Sequence, residues 1–221
     1  GIRGAIIREK GVNGDREMAF SLYMAGFDVK DVHMTDLMSG RETLDDVNMI
    51  VFCGGFSNSD VLGSAKGWAG AFRWNDNARR ALERFYQRDN NSHKFESAFL
   101  GVSVPENRSI MLGSLAGSKL GIWVAHGEGK FELPLPLDRY NVALKYSYSG
   151  YPGNPNGSRA SVAGICSDDG RHLAMMPHLE RAIFPWQNGC YPADRKNSDQ
   201  VTPWIEAFVN ARKWIEARTA K

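Results

Sequence analysis

The stretch Gly4–Asp15, "GAIIREKGVNGD", decides the fold. Its first half is a short apolar run and its second half is a polar loop containing glycines. An apolar run without alternation, closed by turn residues, is how a strand buried on both faces of a parallel sheet reads. The pattern continues on its carboxyl side. A helix is predicted from about Asp15, with Met18, Leu22 and Ala25 on one face and Gly26 as its C-terminal stop. "FDVKDVHM" (Phe27–Met34) alternates and reads as a second strand. "NMIVFC" (Asn48–Cys53) reads as a third, and it ends in "GGFSNSD". This β-α-β opening predicts an α/β fold, an open and mostly parallel sheet with helices on both faces. Sites in such sheets lie beyond the carboxyl ends of the strands. The loops Glu9–Asp15 and Gly54–Asp60 are therefore where chemistry is expected.

Further along, "NDNARRALERFYQR" (Asn75–Arg88) is an amphipathic helix with Ala78, Leu82 and Phe85 as its stripe. A parallel sheet then calls for another buried strand. The chain instead reads "DNNSHK", followed by "FESAFLGVSV", whose alternation suits a half-exposed antiparallel strand. Later strands are predicted at Gly121–Ala125, Ala143–Tyr146, Val162–Cys166 and His172–Met176, so that antiparallel strands are added to the parallel sheet. The last two flank "SDDG" and form a hairpin. In the closing helix Thr202 is the cap, Pro203 the first helical residue, and Trp204, Phe208, Ala211 and Ile215 the buried stripe. With no repeat or linker in view, residues 1–221 are expected to form one domain.

At 43% apolar and 24% charged, 221 residues can bury a substantial core. A net charge of +2 offers no basic stripe, so no nucleic-acid partner is expected. No apolar run approaches the ~20 residues of a membrane span, and no membrane partner is expected. "GIRGAIIREKG" does not look like a signal peptide, which makes the cytoplasm the expected compartment. The absence of an initiator methionine fits a piece of a longer chain. Cys53, Cys166 and Cys190 are too few and too scattered for a disulfide framework or a metal site, so no metal is expected.

Four stretches have the residue types for chemistry. His178 and Glu180 stand two apart just past a predicted strand end, beside Pro177. In extended backbone such a pair points to one side. A carboxylate there can hold an imidazole in one tautomer, the third role of a nucleophilic triad. A solvated loop pair satisfies the same spacing. "CGGFSNSD" puts Gly54 and Gly55 directly after a strand, suited to oxyanion donors or to a plain tight turn. "AHGEGK" (Ala125–Lys130) and "NPNGS" (Asn154–Ser158) are polar Gly-rich loops that fit a ligand pocket or ordinary turns equally well. His126 reads as a second base or a hydrogen-bonding loop residue, His33 as structural and His93 as solvated. No cysteine sits in a G-x-C-x-G elbow and no serine in G-x-S-x-G. Cys53 and Cys166 read as core thiols, and Cys190 as a poor nucleophile candidate.

Read together, these stretches resemble a known family. "REKGVNGDREMAFSLYMAGFDVKDVHMTDL", "CGGFSNSDVLGSAKGWA", "HGEGKF", "NPNGS", "MMPHLER" and "FVNARKW" occur in the order seen in the glutaminase domain of large-type phosphoribosylformylglycinamidine synthases. The resemblance implies a flavodoxin-like class I glutamine amidotransferase fold with a Cys-His-Glu triad. His178 matches the base and Glu180 its orienting acid. Gly54, Gly55 and Phe56 fall in the oxyanion and glutamine-binding loop, and His126 and Gly127 in the facing one. The family reads His-Pro-Glu where this chain has Leu179, which is expected to loosen the loop.

The departure is the nucleophile. The family carries a strand and an elbow of the type G-V-C-N-G-C-Q after the helix that ends here near Arg88. In this chain "ERFYQR" meets "DNNSHKFESAF" directly. A strand, elbow and helix need on the order of 30 residues, and that block is expected between Arg88 and Asp89. The block either belongs to the molecule or has been deleted. The first is expected, because losing a central strand and helix would cost on the order of a domain's whole ~5–15 kcal/mol.

The implied activity is hydrolysis of glutamine to glutamate and ammonia. The ammonia would feed an ATP-dependent synthetase that converts formylglycinamide ribonucleotide to formylglycinamidine ribonucleotide. The implied partners are glutamine and a synthetase domain of the same or an associated chain. No cofactor is expected in this domain, whereas ATP and Mg2+ are expected in the synthetase part. The alternative is an inactive glutaminase-like module with a structural or docking role. Without its nucleophile segment the literal sequence is expected to be inactive.

Overall fold

The computed structural model describes residues 1–54, 70, 74–77, 96–126 and 129–219. The chain divides into two compact units, Gly1–Gln87 and Arg88–Lys221, each described by itself below.

In the first unit β1 (Arg3–Arg8) is the centre of a parallel sheet. It is followed by α1 (Asp15–Met24), β2 (Asp28–His33), α2 (Met34–Ser39) and β3 (Met49–Phe52), with strand order β2-β1-β3. Ala5, Ile6 and Ile7 are at most 2% exposed, as the unbroken apolar run requires. Helices cover both faces of β1. Ala5 and Ile7 pack with Met34 and Leu37 of α2. On the opposite face Gly4 lies against Leu22 of α1, where a Cβ would come within 3.3 Å of the leucine methyl. Gly26, at φ 85, ends α1 in the left-handed conformation.

The second strand ends one residue earlier than its alternation suggests, because Met34 opens α2 instead of closing β2. The cause is His33, whose Nδ1 accepts the Thr35 backbone N–H at 3.3 Å and so acts as the N-cap. The structural role expected of His33 is thus a capping role. β3 is less covered than β1. Met49, Ile50 and Val51 are half-buried and Phe52 is 37% exposed. Among the described residues β1 is its hydrogen-bonded neighbour. The predicted helix Asn75–Arg88 falls almost wholly outside the described residues, as does His93.

The second unit is an antiparallel sheet of β4 (Glu96–Ser103), β5 (Lys119–His126), β6 (Asn141–Tyr146), β7 (Val162–Cys166) and β8 (Leu173–Met175), ordered β5-β4-β6-β7-β8. α3 (Ile205–Thr219) closes the chain. The fold class is therefore α/β with added antiparallel strands. Among the described residues the antiparallel strands outnumber the parallel ones, a larger share than the sequence suggests. β7 and β8 form the expected hairpin. Its turn needs Gly170, which sits at φ 70 where a Cβ would come within 1.9 Å of the Arg108 carbonyl oxygen. α3 begins two residues later than its sequence signals. The Glu206 and Ala207 amides bond three residues back, to Pro203 and Trp204, so the first turn is of the tighter 3-10 kind. Thr202 still accepts the Trp204 N–H, at 3.3 Å. Trp204 and Phe208 are each 1% exposed, and the Trp204 indole N–H donates to the Gly121 carbonyl on β5 at 2.8 Å.

Candidate active site

The site grows from the end of β8. Beyond it, the His178 N–H donates to the Trp123 carbonyl at 2.8 Å, so β5 holds the chain in place. His178 itself is extended (φ −99, ψ 101), but Leu179–Arg181 then turn as a 3-10 helix. This corrects the expectation of a pair facing one way along an extended segment. Among the described residues no further strand partner holds the chain past His178, and the Ala182 N–H closes on the Leu179 carbonyl at 3.0 Å. Leu179 is buried at 5% exposure.

The turn brings His178 Nδ1 to 2.6 Å from Glu180 Oε1. A carboxylate can only accept, so Nδ1 carries the proton and donates it, which leaves Nε2 as the basic nitrogen. The Ala125 carbonyl oxygen lies 3.5 Å from Nε2, too far for a good hydrogen bond. Glu180 is 3% exposed, and Arg181 Nε lies 3.8 Å from the same carboxylate oxygen. A buried carboxylate is tolerated only when paired and hydrogen-bonded. The arrangement can take a proton at Nε2 and stabilise the imidazolium that results.

His126 ends β5, one residue past the carbonyl that faces His178. Burial holds its pKa down to about 4, and the charge His178 can carry lowers it further. The ring is neutral at neutral pH. Both of its nitrogens are buried without a hydrogen-bond partner among the described residues. Gly129 packs on the ring, where a Cβ would come within 2.1 Å of its atoms. It is an uncharged polar group beside the His–Glu pair.

In the first unit the two loops expected to matter touch each other, since the Asn13 N–H donates to the Gly54 carbonyl at 3.0 Å. Gly54 is exposed, and a Cβ there would meet nothing within 4 Å. The freedom that glycine offers is not used at this position. Gly55, Phe56 and Gly127 lie outside the described residues. "NPNGS" separates into two kinds of residue. Asn154 and Ser158 spend their polar atoms on the loop itself, whereas the amide of Asn156, 7% exposed, is buried without a partner among the described residues.

None of the three cysteines is in a disulfide. Cys53 and Cys166 are buried, and burial pushes the Cys166 thiol up, away from the thiolate. Cys190 is exposed. Two contributors escaped the sequence reading. Trp123 works through a backbone carbonyl, which leaves no mark on side-chain patterns. Arg181 was legible only as a charge next to Glu180.

The family model of the CobB/CobQ-like glutamine amidotransferase domain matches residues 2–90 and 88–215. The chain belongs to this family. It is 39% identical to a probable phosphoribosylformylglycinamidine synthase, chloroplastic/mitochondrial, of Arabidopsis thaliana, over 96% of this chain and 19% of that protein. It is 38% identical to the phosphoribosylformylglycinamidine synthase of Homo sapiens, over 96% and 20%. The chain thus spans about a fifth of the length of these relatives. The Arabidopsis alignment runs over 264 positions, against the roughly 212 residues that 96% of 221 supplies, leaving about 50 in which the relative has residues and this chain has none. Among solved structures, PurLQS from Thermotoga maritima shares the fold, with a TM-score of 0.69 at 23% identity over 97% of this chain and 99% of that one. A GMP synthase-like protein from Thermoplasma acidophilum shares it at 0.57 and 16%, over 100% and 97%. No helix among the described residues is long and apolar enough to cross a membrane.

Proposed function

We propose that the chain is the glutaminase module of a phosphoribosylformylglycinamidine synthase, hydrolysing glutamine and passing ammonia to a synthetase part. The observation that carries this reading is the His178–Glu180 pair at 2.6 Å with its carboxylate buried. An inert docking module has no use for a buried acid aimed at an imidazole, which disfavours the inactive alternative.

In this reading a cysteine thiol gives its proton to His178 Nε2 and the sulfur attacks the glutamine side-chain carbonyl. Backbone N–H groups of Gly54 and Gly55 stabilise the oxyanion, a role worth ~3–4 kcal/mol per donor. The imidazolium then protonates the departing nitrogen, and ammonia leaves. Water, deprotonated by His178, cleaves the thioester to glutamate and returns the thiol. Glu180 fixes the tautomer throughout. His126, Gly127 and Phe56 keep the glutamine-binding role that the family resemblance gives them. ATP and Mg2+ serve the synthetase part. Three cysteines outside disulfides suit a reducing compartment, and the cytoplasm is the one proposed.

The nucleophile belongs to a block between Arg88 and Asp89. The two family matches that meet at 88–90, and the roughly 50 extra positions of the Arabidopsis relative, support this. The test is to graft the corresponding block of a relative into this chain between those residues. Ammonia release from glutamine is expected in the grafted chain, with none in the ungrafted chain and none in the graft carrying His178→Ala. Hydrolysis by the ungrafted chain that depends on His178, or a folded graft without hydrolysis, would refute the reading.

A further inference from the structure

The turn that carries Glu180 has little internal support. Two hydrogen bonds close it, from the Arg181 N–H to the His178 carbonyl at 3.3 Å and from the Ala182 N–H to the Leu179 carbonyl at 3.0 Å. Hydrogen-bond geometry in a 3-10 turn is poor, so a short one takes its shape from what it is fastened to. Here the fastening is Thr202. Its hydroxyl donates to the Ala182 carbonyl at 2.6 Å, and its backbone N–H donates to the Ile183 carbonyl at 2.8 Å. Asn188 Nδ2 adds a longer bond to the Ala182 carbonyl, at 3.3 Å. Ala182 is fully buried and Thr202 is 2% exposed, so water cannot take the place of the hydroxyl.

These bonds close a ring that begins and ends on β5. The Trp123 carbonyl holds the His178 N–H. The chain then runs through Glu180 to Ala182, and Thr202 carries it across to the start of α3. The Thr202 hydroxyl also accepts the Trp204 N–H, at 3.3 Å. The Trp204 indole N–H returns to β5 at the Gly121 carbonyl, two residues before Trp123. All of these residues belong to the second unit. The His178–Glu180 pair is thus tied to one strand from both sides, and the two ties meet at the Thr202 hydroxyl.

We propose that Thr202 is a positioning residue for the glutaminase reaction, its hydroxyl fixing the Leu179–Arg181 turn so that the Glu180 carboxylate stays within hydrogen-bond reach of His178 Nδ1. This rests on the reading of the site given above. Thr202 acts through the Ala182 carbonyl, two residues past Glu180. A helix cap alone would affect the stability of α3 and nothing at the pair.

The experiment has two arms. In the chain as it stands, the proton on His178 Nδ1 is followed by NMR and assigned by its loss in His178→Ala. A proton in a short bond to a carboxylate resonates far downfield and is seen only while its exchange with water is slow. The parent should show it, and so should Thr202→Ser, which keeps the hydroxyl. Thr202→Val keeps the shape and loses the hydroxyl, and the signal should vanish. Trp204→Phe opens the ring at β5 and should weaken the signal, which keeps the test decisive should Thr202→Val not fold. Asn210→Ala removes the α3 bonds to the Met111 carbonyl at 3.0 Å and to Ser114 Oγ at 2.6 Å. It loosens the same helix outside the ring and should leave the signal unchanged. In the grafted chain that hydrolyses glutamine, Thr202→Val should lower kcat about tenfold with KM changed less than about twofold, because the imidazolium is stabilised less while glutamine binding is untouched. Thr202→Ser and Asn210→Ala should stay within about twofold of the parent in kcat. No downfield signal in the parent, an unchanged signal in either folded ring variant, or its loss in Thr202→Ser or Asn210→Ala overturns the proposal, as does an unchanged kcat in Thr202→Val. A graft without hydrolysis would sink the glutaminase reading, while the NMR arm still decides whether Thr202 holds the pair.

Discussion

Replacing His126 with glutamine should flatten the acid side of the stability profile. In the folded protein burial holds the His126 imidazole neutral down to about pH 4, whereas in the unfolded chain it titrates near its ordinary ~6.5. Between these values the unfolded state binds more protons than the folded one, so stability rises with pH and falls as the solution is acidified. Each pH unit across the window is worth ~1.4 kcal/mol. From pH 7 to pH 5 the parent should lose about 2 kcal/mol through this one group, and roughly 3 by pH 4. His126→Gln keeps a polar side chain of similar size and removes the titration. Urea denaturation followed by tryptophan fluorescence at pH 7, 6 and 5 measures both proteins. The difference between the two profiles reports His126 together with its coupling to His178. The expected result is a parent profile about 2 kcal/mol steeper than that of the variant over this range. Profiles parallel within ~0.5 kcal/mol, the usual scale of an inconsequential substitution, would refute the burial of the neutral ring.

Two further outcomes are expected. In the grafted chain Glu180→Gln should lower kcat for glutamine hydrolysis about 10³-fold with little change in KM, because the amide no longer stabilises the imidazolium that forms during the reaction; steady-state ammonia release checks this. Gly170→Ala should destabilise the second unit by about 3 kcal/mol, combining left-handed strain with a Cβ driven into the Arg108 carbonyl, and a lowered urea midpoint would register it.

Much of the scaffold was legible because it rests on patterns that sequence carries directly. "GAIIR" had to be buried on both faces, and Ala5 to Ile7 are. The alternation of "FESAFLGVSV" announced an antiparallel strand, and β4 pairs antiparallel on both sides. "SDDG" announced the β7–β8 turn. The departures all came from local hydrogen bonds that compete with the pattern. His33 accepting the Thr35 amide turned a strand end into a helix start. A 3-10 turn, not an extended segment, joined His178 to Glu180. The site was legible as residue types, but its division of labour was not. That Ser158 is spent on the Phe131 amide depends on a contact 27 residues apart in sequence.

Met49–Phe52 is composed for a strand with company on both sides, yet among the described residues it has β1 on one side, and Phe52 is 37% exposed. A short apolar ribbon of this kind governs behaviour in a crowd as well as in isolation. The edge away from β1 is where a further strand would add to the sheet. Whatever completes the sheet beside β3 would act as a built-in chaperone as much as a carrier of chemistry.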